Sequence, residues 1–190
     1  ENEATNEIVS EDDIPINYLD DDMSIKTHNV KMIFTVAKPS IQAIGGGKPL
    51  GKHYAKNVGI SVVRNAREIN SKTFGFFNPF EERERWWGCE IRYGDSNIEI
   101  TKKIDSIFGL TNNKQDVTKF YYEDTKKGEA LDGDDHYAER LKSDYSLQMR
   151  TKISKKFKDL HSEHYKIISK RGSGKRGGGN GNTSIDLVNK

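Results

Sequence analysis

The stretch Trp87-Gly-Cys-Glu-Ile-Arg-Tyr93 alternates apolar and polar side chains, which is the pattern of a strand with one buried face. Upstream of it, Val58–Val63 and Lys31–Lys38 are rich in β-branched and aromatic residues, and they predict two further strands. Downstream, Ile98–Phe108 predicts a short helix. The middle of the chain therefore combines strands with a connecting helix.

A long helix closes this region. Apolar side chains recur at steps of three and four and predict one helix from about Glu139 to Ser169. The stripe consists of Leu141, Tyr145, Met149, Ile153, Phe157, Leu160, His164 and Ile168. Early strands with a long closing helix favour an α/β or α+β two-layer sandwich over a helix bundle.

The two ends differ in composition from this middle part. Residues 1–22 hold nine acidic side chains and no basic one, so we expect residues 1–29 to form an acidic linker or disordered arm. Residues 172–190 are rich in Gly, Lys and Arg and predict a flexible tail. The folded domain is then expected at 30–171. Because the chain begins at Glu1 rather than at Met, we expect it to belong to a longer protein.

Overall composition excludes several classes of protein. The 190 residues are 33% hydrophobic and 32% charged, with a net charge of +2 and a mean hydropathy of −0.84. No apolar run approaches the ~20 residues of a membrane-spanning helix. The single cysteine, Cys89, excludes an intrachain disulfide and a cysteine-built zinc site, and we expect it to be a small core residue. These features predict a cytoplasmic location without a membrane partner.

One glycine-rich segment partly matches the motif of a phosphate-binding loop. Gly46–Lys52 matches its first seven positions, but His53 stands where a Ser or Thr must bind Mg²⁺. Pro49 also removes a backbone amide that such a loop would use. A turn around Gly45–Gly47 is therefore the better interpretation.

Two groups of polar residues are weighed as chemical sites and set aside. His161 and His164 are three residues apart on the predicted helix, but no third metal ligand is evident. Glu81–Arg85 mixes acidic and basic side chains, a pattern typical of a solvated face. We assign no catalytic residue and no metal ligand from the sequence.

Three blocks together are more specific. They are Gly59–Ile69, Arg83–Ile91 and Ile104–Gln115, and their closest matches are Gly59-Ile-Ser-Val-Val-Arg64, Arg85-Trp-Trp-Gly88 and Thr111-Asn-Asn-Lys-Gln115. In this order they resemble the second, transducer, domain of GHKL-type ATPases, most closely that of bacterial chaperone-like and MORC-like members. The segment that holds them spans about a third of the chain, and weaker flanks extend the similarity over most of residues 30 to 172.

The resemblance implies both a fold and a nucleotide contact. Transducer domains are α/β sandwiches with a left-handed βαβ crossover, an exception to the usual right-handed rule. Their protruding loop carries a lysine, here Lys114, to the γ-phosphate of ATP. Asn112, Asn113 and Gln115 would add hydrogen bonds to the nucleotide. Gyrase-type loops have a glutamine two residues before the lysine, where this chain has Asn112.

The resemblance also implies partners. An N-terminal ATP-binding domain of the parent chain would bind most of the ATP and its Mg²⁺, and no convincing counterpart of it occurs in this sequence. Alone, the chain is therefore not expected to hydrolyse ATP. Relatives in the superfamily also form homodimers and act on DNA. Trp86 and Trp87 are expected to anchor the sheet to a neighbour, one ring buried and one half exposed. The pairing of Arg64, Arg67 and Glu68 is left open between this domain and the ATP-binding domain.

A different class of function competes with this interpretation. Residues 150–176 hold ten Lys or Arg against Asp159 and Glu163. With Phe157 and Tyr165 nearby, these cations could neutralise phosphates without reading sequence. The alternative is thus a non-catalytic nucleic-acid binding module that uses the C-terminal helix and tail.

Overall fold

The computed structural model describes residues 5–110, 116–120 and 142–168, which form one mixed sheet with helices packed on it. In chain order the elements are β1 (Asn6–Leu19), β2 (Ile25–Ala37), α1 (Pro39–Ile44), α2 (Pro49–Lys56), β3 (Ile60–Arg64), β4 (Arg67–Lys72), a 3-10 turn (Glu84–Trp86), β5 (Trp87–Tyr93), α3 (Ile98–Phe108) and α4 (Tyr145–Tyr165). None of these helices is both long and apolar enough to cross a membrane.

The sheet places its strands in the order β1-β2-β5-β3-β4. Neighbouring strands are antiparallel except β3 and β5, which are parallel. The predicted alternation of β5 is confirmed, because Trp87, Cys89, Ile91 and Tyr93 are all buried. Opposite them in register on β2 lie apolar partners such as Phe34, which pairs with Cys89. One face of the sheet thereby forms the core.

The fold class expected from the sequence is confirmed at the level of an α+β sandwich closed by a long C-terminal helix. The parallel strands β3 and β5 are connected through β4 and the 3-10 turn. Among the described residues no α-helix lies between them, so the left-handed βαβ crossover has no counterpart there.

Both predicted helices form. The helix α3 covers the predicted range, and Asn97 caps it by accepting a hydrogen bond from the Glu99 amide at 3.0 Å. The helix α4 starts after Asp144, which accepts from the Leu147 amide at 3.0 Å. Most of the predicted stripe is buried, namely Met149, Ile153, Phe157, Leu160 and Ile168. Leu141 and Ser169 lie outside the described residues.

The expectation of an acidic linker or disordered arm over residues 1–29 is wrong for most of that range. Asn6–Leu19 forms β1, which pairs with β2 along its whole length. Its Ile14, Ile16 and Tyr18 are buried in the core and alternate with more exposed residues. This apolar alternation decides the local structure, while the acidic side chains lie on the outer positions or meet lysines.

Candidate functional site at the end of α3

The residues assigned to nucleotide contact, Asn112, Asn113, Lys114 and Gln115, lie outside the described residues. The chain on either side of them is described. Leu110 and Val117 form an antiparallel bridge, and the Lys119 amide donates to the Phe108 carbonyl at 3.1 Å. The two ends of the 111–115 segment therefore lie side by side at the C-terminal end of α3.

A glycine makes this close pairing feasible. Gly109 ends α3 with φ of +69°, a left-handed conformation that favours glycine. A Cβ added there would lie 2.5 Å from the Thr118 hydroxyl oxygen. That hydroxyl donates to the Gly109 carbonyl at 2.8 Å. The chain can thus reverse at Gly109 and return beside itself.

The returning strand is anchored to the sheet and to the core. Asp116 accepts from the Asn70 side chain at 2.6 Å and from Lys72 at 3.2 Å, both on β4. Val117 and Phe120 are completely buried. The base of the segment is therefore held from two sides, by α3 and by the edge strand.

An ion pair joins the first sequence block to the third. Arg64 donates from Nε and Nη2 to the two carboxylate oxygens of Asp105, at 2.7 and 2.8 Å. The Tyr93 hydroxyl donates to the same carboxylate at 3.1 Å. Asp105 raises the pKa of Arg64, and burial, followed by the nearby Asp105 charge, raises the pKa of Tyr93. Arg64 therefore pairs within this domain and holds α3 against β3.

The other two open residues of the first block are also placed. Glu68 accepts a hydrogen bond at 2.6 Å from Ser61, its neighbour on β3. Arg67 is exposed at the start of β4. Between Arg64 and Arg67, Asn65 and Ala66 both have positive φ, the geometry of a tight hairpin turn. Glu68 is thus bound within the hairpin, and Arg67 points to solvent.

The tryptophans of the second block are packed differently from the expectation. Trp86 and Trp87 are 6% and 5% exposed, so neither ring is half exposed. The Trp86 ring packs on Tyr54 of α2, with the ring centroids 5.4 Å apart. The Trp87 ring stacks on Phe34 of β2, with the centroids 5.3 Å apart. Both rings therefore pack within this domain.

Sequence reasoning missed a buried carboxylate next to these rings. Glu84 is 4% exposed, which contradicts its assignment to a solvated face. It accepts from the Trp87 indole nitrogen at 2.5 Å and lies 2.9 Å from the His161 Nε2 atom of α4. The spacing of Glu84 and Trp87, three residues apart, was the signal for this contact. His161 therefore contacts a carboxylate and aromatic rings instead of lying fully in solvent.

The glycine-rich segment forms the predicted turn between α1 and α2. A Cβ on Gly51 would lie 2.4 Å from the Gly45 carbonyl oxygen, so the glycine permits close packing of α2 on the turn. The Gly46 carbonyl accepts from Arg85 at 3.2 Å. These glycines serve packing.

Cys89 is the core residue that the sequence predicts. Its side chain is 2% exposed, and burial raises the pKa of its thiol far above the usual range. Within the described ranges, no three His, Cys, Asp or Glu side chains are close enough to hold a metal ion.

The basic C-terminal helix is partly neutralised within the chain. Lys156 pairs with Asp12 of β1 at 2.8 Å, and Lys152 donates to the Pro15 carbonyl at 2.6 Å. Arg150 is buried and donates to the Lys119 carbonyl at 3.0 Å. The basic residues from Lys170 to Arg176 lie outside the described residues.

No protein-family model matches the chain, and no curated protein or solved structure matches it either. Support for a function therefore comes from the sequence blocks and from the contacts around them.

Proposed function

We propose that this chain is a transducer domain of a GHKL-type ATPase, which presents Lys114 to the γ-phosphate of ATP in a neighbouring ATP-binding domain. The observation that carries the proposal is the pairing of Leu110 with Val117. This pairing holds both ends of the 111–115 segment together at the C-terminal end of α3. A short segment whose ends are held together suits a contact that reaches across a domain boundary.

The residue types of the segment suit this contact. An ammonium group is a compact cation that can meet the γ-phosphate as a point charge. Asn112, Asn113 and Gln115 can donate further hydrogen bonds to phosphate oxygens. The contact exists with ATP and is lost when the γ-phosphate leaves, so the segment would couple nucleotide state to domain closure.

The contacts at the base of the segment would transmit this coupling. Asp105 ties α3 to Arg64 on β3, and Asp116 ties the returning strand to β4. A charged hydrogen bond contributes about 1.5–3 kcal/mol. Changing the ratio of the closed to the open state from 1:99 to 99:1 requires about 5.5 kcal/mol. Packing against the ATP-binding domain, or dimerisation, would supply the difference.

The experiment compares the binding of an ATP analogue with the binding of ADP. It uses the full-length protein to which this chain belongs. Lys114→Ala should weaken binding of a non-hydrolysable ATP analogue about 10- to 100-fold, because a charge-assisted contact is lost. Binding of ADP should not change, because it lacks the γ-phosphate. Isothermal titration calorimetry measures both affinities. The control is Lys166→Ala, which removes an exposed cation from the described C-terminal region.

Three outcomes would overturn the proposal. One is unchanged affinity of Lys114→Ala for the ATP analogue. Another is an equal loss for ADP and the analogue. The third is an equal loss in the Lys166→Ala control, which would indicate a general charge effect.

The nucleic-acid module remains the alternative and receives less support. Lys152 and Lys156 are already bound to β1, so α4 offers fewer free cations than its sequence suggests. The alternative predicts that removal of residues 170–190 abolishes salt-dependent DNA binding while Lys114→Ala changes nothing.

A further inference from the structure

The charged side chains of the helical pair α1–α2 are all basic. Residues 38–58 contain four lysines and a histidine but no Asp or Glu. Lys48, Lys52 and Lys56 are all exposed and stand four residues apart. The Lys52 amide donates to the Lys48 carbonyl at 2.9 Å, so Lys48 lies one turn below Lys52. The three ammonium groups thus form a stripe along one side of α2.

No described carboxylate compensates this stripe. Lys48, Lys52 and Lys56 make no ion pair within 4.0 Å among the residues that the structure describes. Arg85 adds a fourth cation beside α2. It donates to the Gly46 and Glu82 main-chain carbonyls at 3.2 and 3.0 Å, and it makes no ion pair with a carboxylate of the described residues.

This arrangement is unfavourable for the isolated helix. Like charges four residues apart destabilise a helix by about 0.2–0.5 kcal/mol per pair. The first turn of α2 also lacks an acidic residue that would offset the helix dipole. A stripe that lowers helix stability is better explained by a bound polyanion than by folding.

A separate polar cleft lies against the side of α2 that carries Leu50, His53, Tyr54 and Asn57. It has a volume of about 320 Å³ and separates α2 from the start of β1 and from β5. Its polar lining residues are Thr5, Asn6, His53, Tyr54, Asn57 and Arg85. None of them is acidic, so the cleft offers hydrogen-bonding groups and positive charge without repelling a phosphate.

We propose that the α2 stripe binds the phosphate backbone of duplex DNA without reading its sequence. From Lys48 to Lys56 the helix extends about 12 Å, at about 1.5 Å per residue. Duplex DNA carries one negative charge per about 1.7 Å of axis, so this length faces several phosphates. Contacts to phosphates fix position but carry no base information. The proposal does not depend on Lys114.

The test measures binding of a short fluorescein-labelled DNA duplex by anisotropy across roughly 50 to 200 mM salt. In the full chain, Lys48, Lys52 and Lys56 are changed together to Gln. Affinity should fall about tenfold or more, and the slope of log K against log salt should flatten by about 2.7, or 0.9 for each lost contact. The positions are exposed, and circular dichroism verifies that the variant is folded.

A matched triple variant removes the same charge from the other basic helix. Lys155, Lys158 and Lys166 are exposed on or just after α4 and are changed together to Gln. This control should retain the wild-type salt slope. Absence of DNA binding by the wild type, an unchanged slope in the α2 variant, or equal flattening in both variants would overturn the proposal. So would a loss of binding to phosphatidylserine vesicles without a loss of binding to DNA.

Discussion

Two helices of this protein, α2 and α4, are rich in lysine, yet their lysines have different surroundings. On α4, Lys156 meets Asp12, and Lys152 meets the Pro15 carbonyl of the same strand. On α2, Lys52 and Lys56 face no described carboxylate. The difference follows from position, because α4 crosses the acidic strand β1 and α2 does not. Counting charges along the sequence therefore misjudges which surface is positive.

The two helices also differ in what they bury. The helix α4 covers the sheet with an apolar stripe that includes Phe157, which is 1% exposed. In α2 the only buried residue is Gly51. We therefore assign α4 to stability and α2 to surface recognition.

The largest expected effect is a loss of stability when a buried side chain of α4 is truncated. Phe157→Ala removes a ring whose centroid lies 5.5 Å from that of Trp87 and 5.4 Å from that of Phe76. It should lower the free energy of unfolding by about 3–5 kcal/mol, as for other buried aromatic residues. On α2, Leu50→Ala truncates a half-buried side chain and should lower it by less than about 1.5 kcal/mol. Urea denaturation followed by circular dichroism measures both values. Equal losses would remove the distinction between the helices.

A smaller loss of stability is expected when the ion pair between Lys156 and Asp12 is removed. Lys156→Gln and Asp12→Asn should each lower the free energy of unfolding at pH 7 by less than about 1 kcal/mol, because the pair is partly exposed and solvent screens its charges. The hydrogen bond from Lys156 is the main cause that lowers the pKa of Asp12. The stabilisation is therefore complete above the unfolded pKa, near 4, and is lost as the pH falls through the lower folded pKa.

Denaturation of both single variants and the double variant at pH 7 and in acid measures this coupling. The control is Lys155→Gln, which changes a neighbouring exposed lysine. Additive effects in the double variant at pH 7 would show that Lys156 and Asp12 do not interact in solution.

The smallest effect has the opposite sign. Lys52→Gln relieves repulsion from Lys56, one turn further along the helix, so it should raise the free energy of unfolding by about 0.2–0.5 kcal/mol. The same type of substitution would then stabilise on α2 and destabilise at Lys156 on α4. Thermal unfolding at low and high salt measures the change, which should shrink as salt screens the charges. A loss of stability would indicate an ion pair at Lys52.

Some elements could be predicted closely from the sequence. The limits of β5 and α3 agree with the structure, because alternation and helical spacing are local patterns that capping residues reinforce. The strand β1 was missed, although Ile14, Ile16 and Tyr18 carry the same alternation. Its acidic residues suggested disorder, but Asp12 pairs with Lys156 of α4, more than a hundred residues away, and Glu11 pairs with Lys31 of β2.

The candidate site also has a part that the sequence predicts and a part that it does not. The sequence blocks predict which segment contacts a nucleotide, and Lys114 stays a prediction. The contacts of Arg64 with Asp105 and of Glu84 with His161 could not be derived, because each joins residues from different elements.

By itself, the sequence determined the α+β class, the core strand β5, the helices α3 and α4, and the order of the three blocks. Only the tertiary structure decided which charges are paired, that both tryptophans are buried, and that α2 carries the exposed positive stripe. The physical reason is distance: local spacing sets the hydrogen bonds and periodicity of an element, while pairing and burial depend on which elements meet in space.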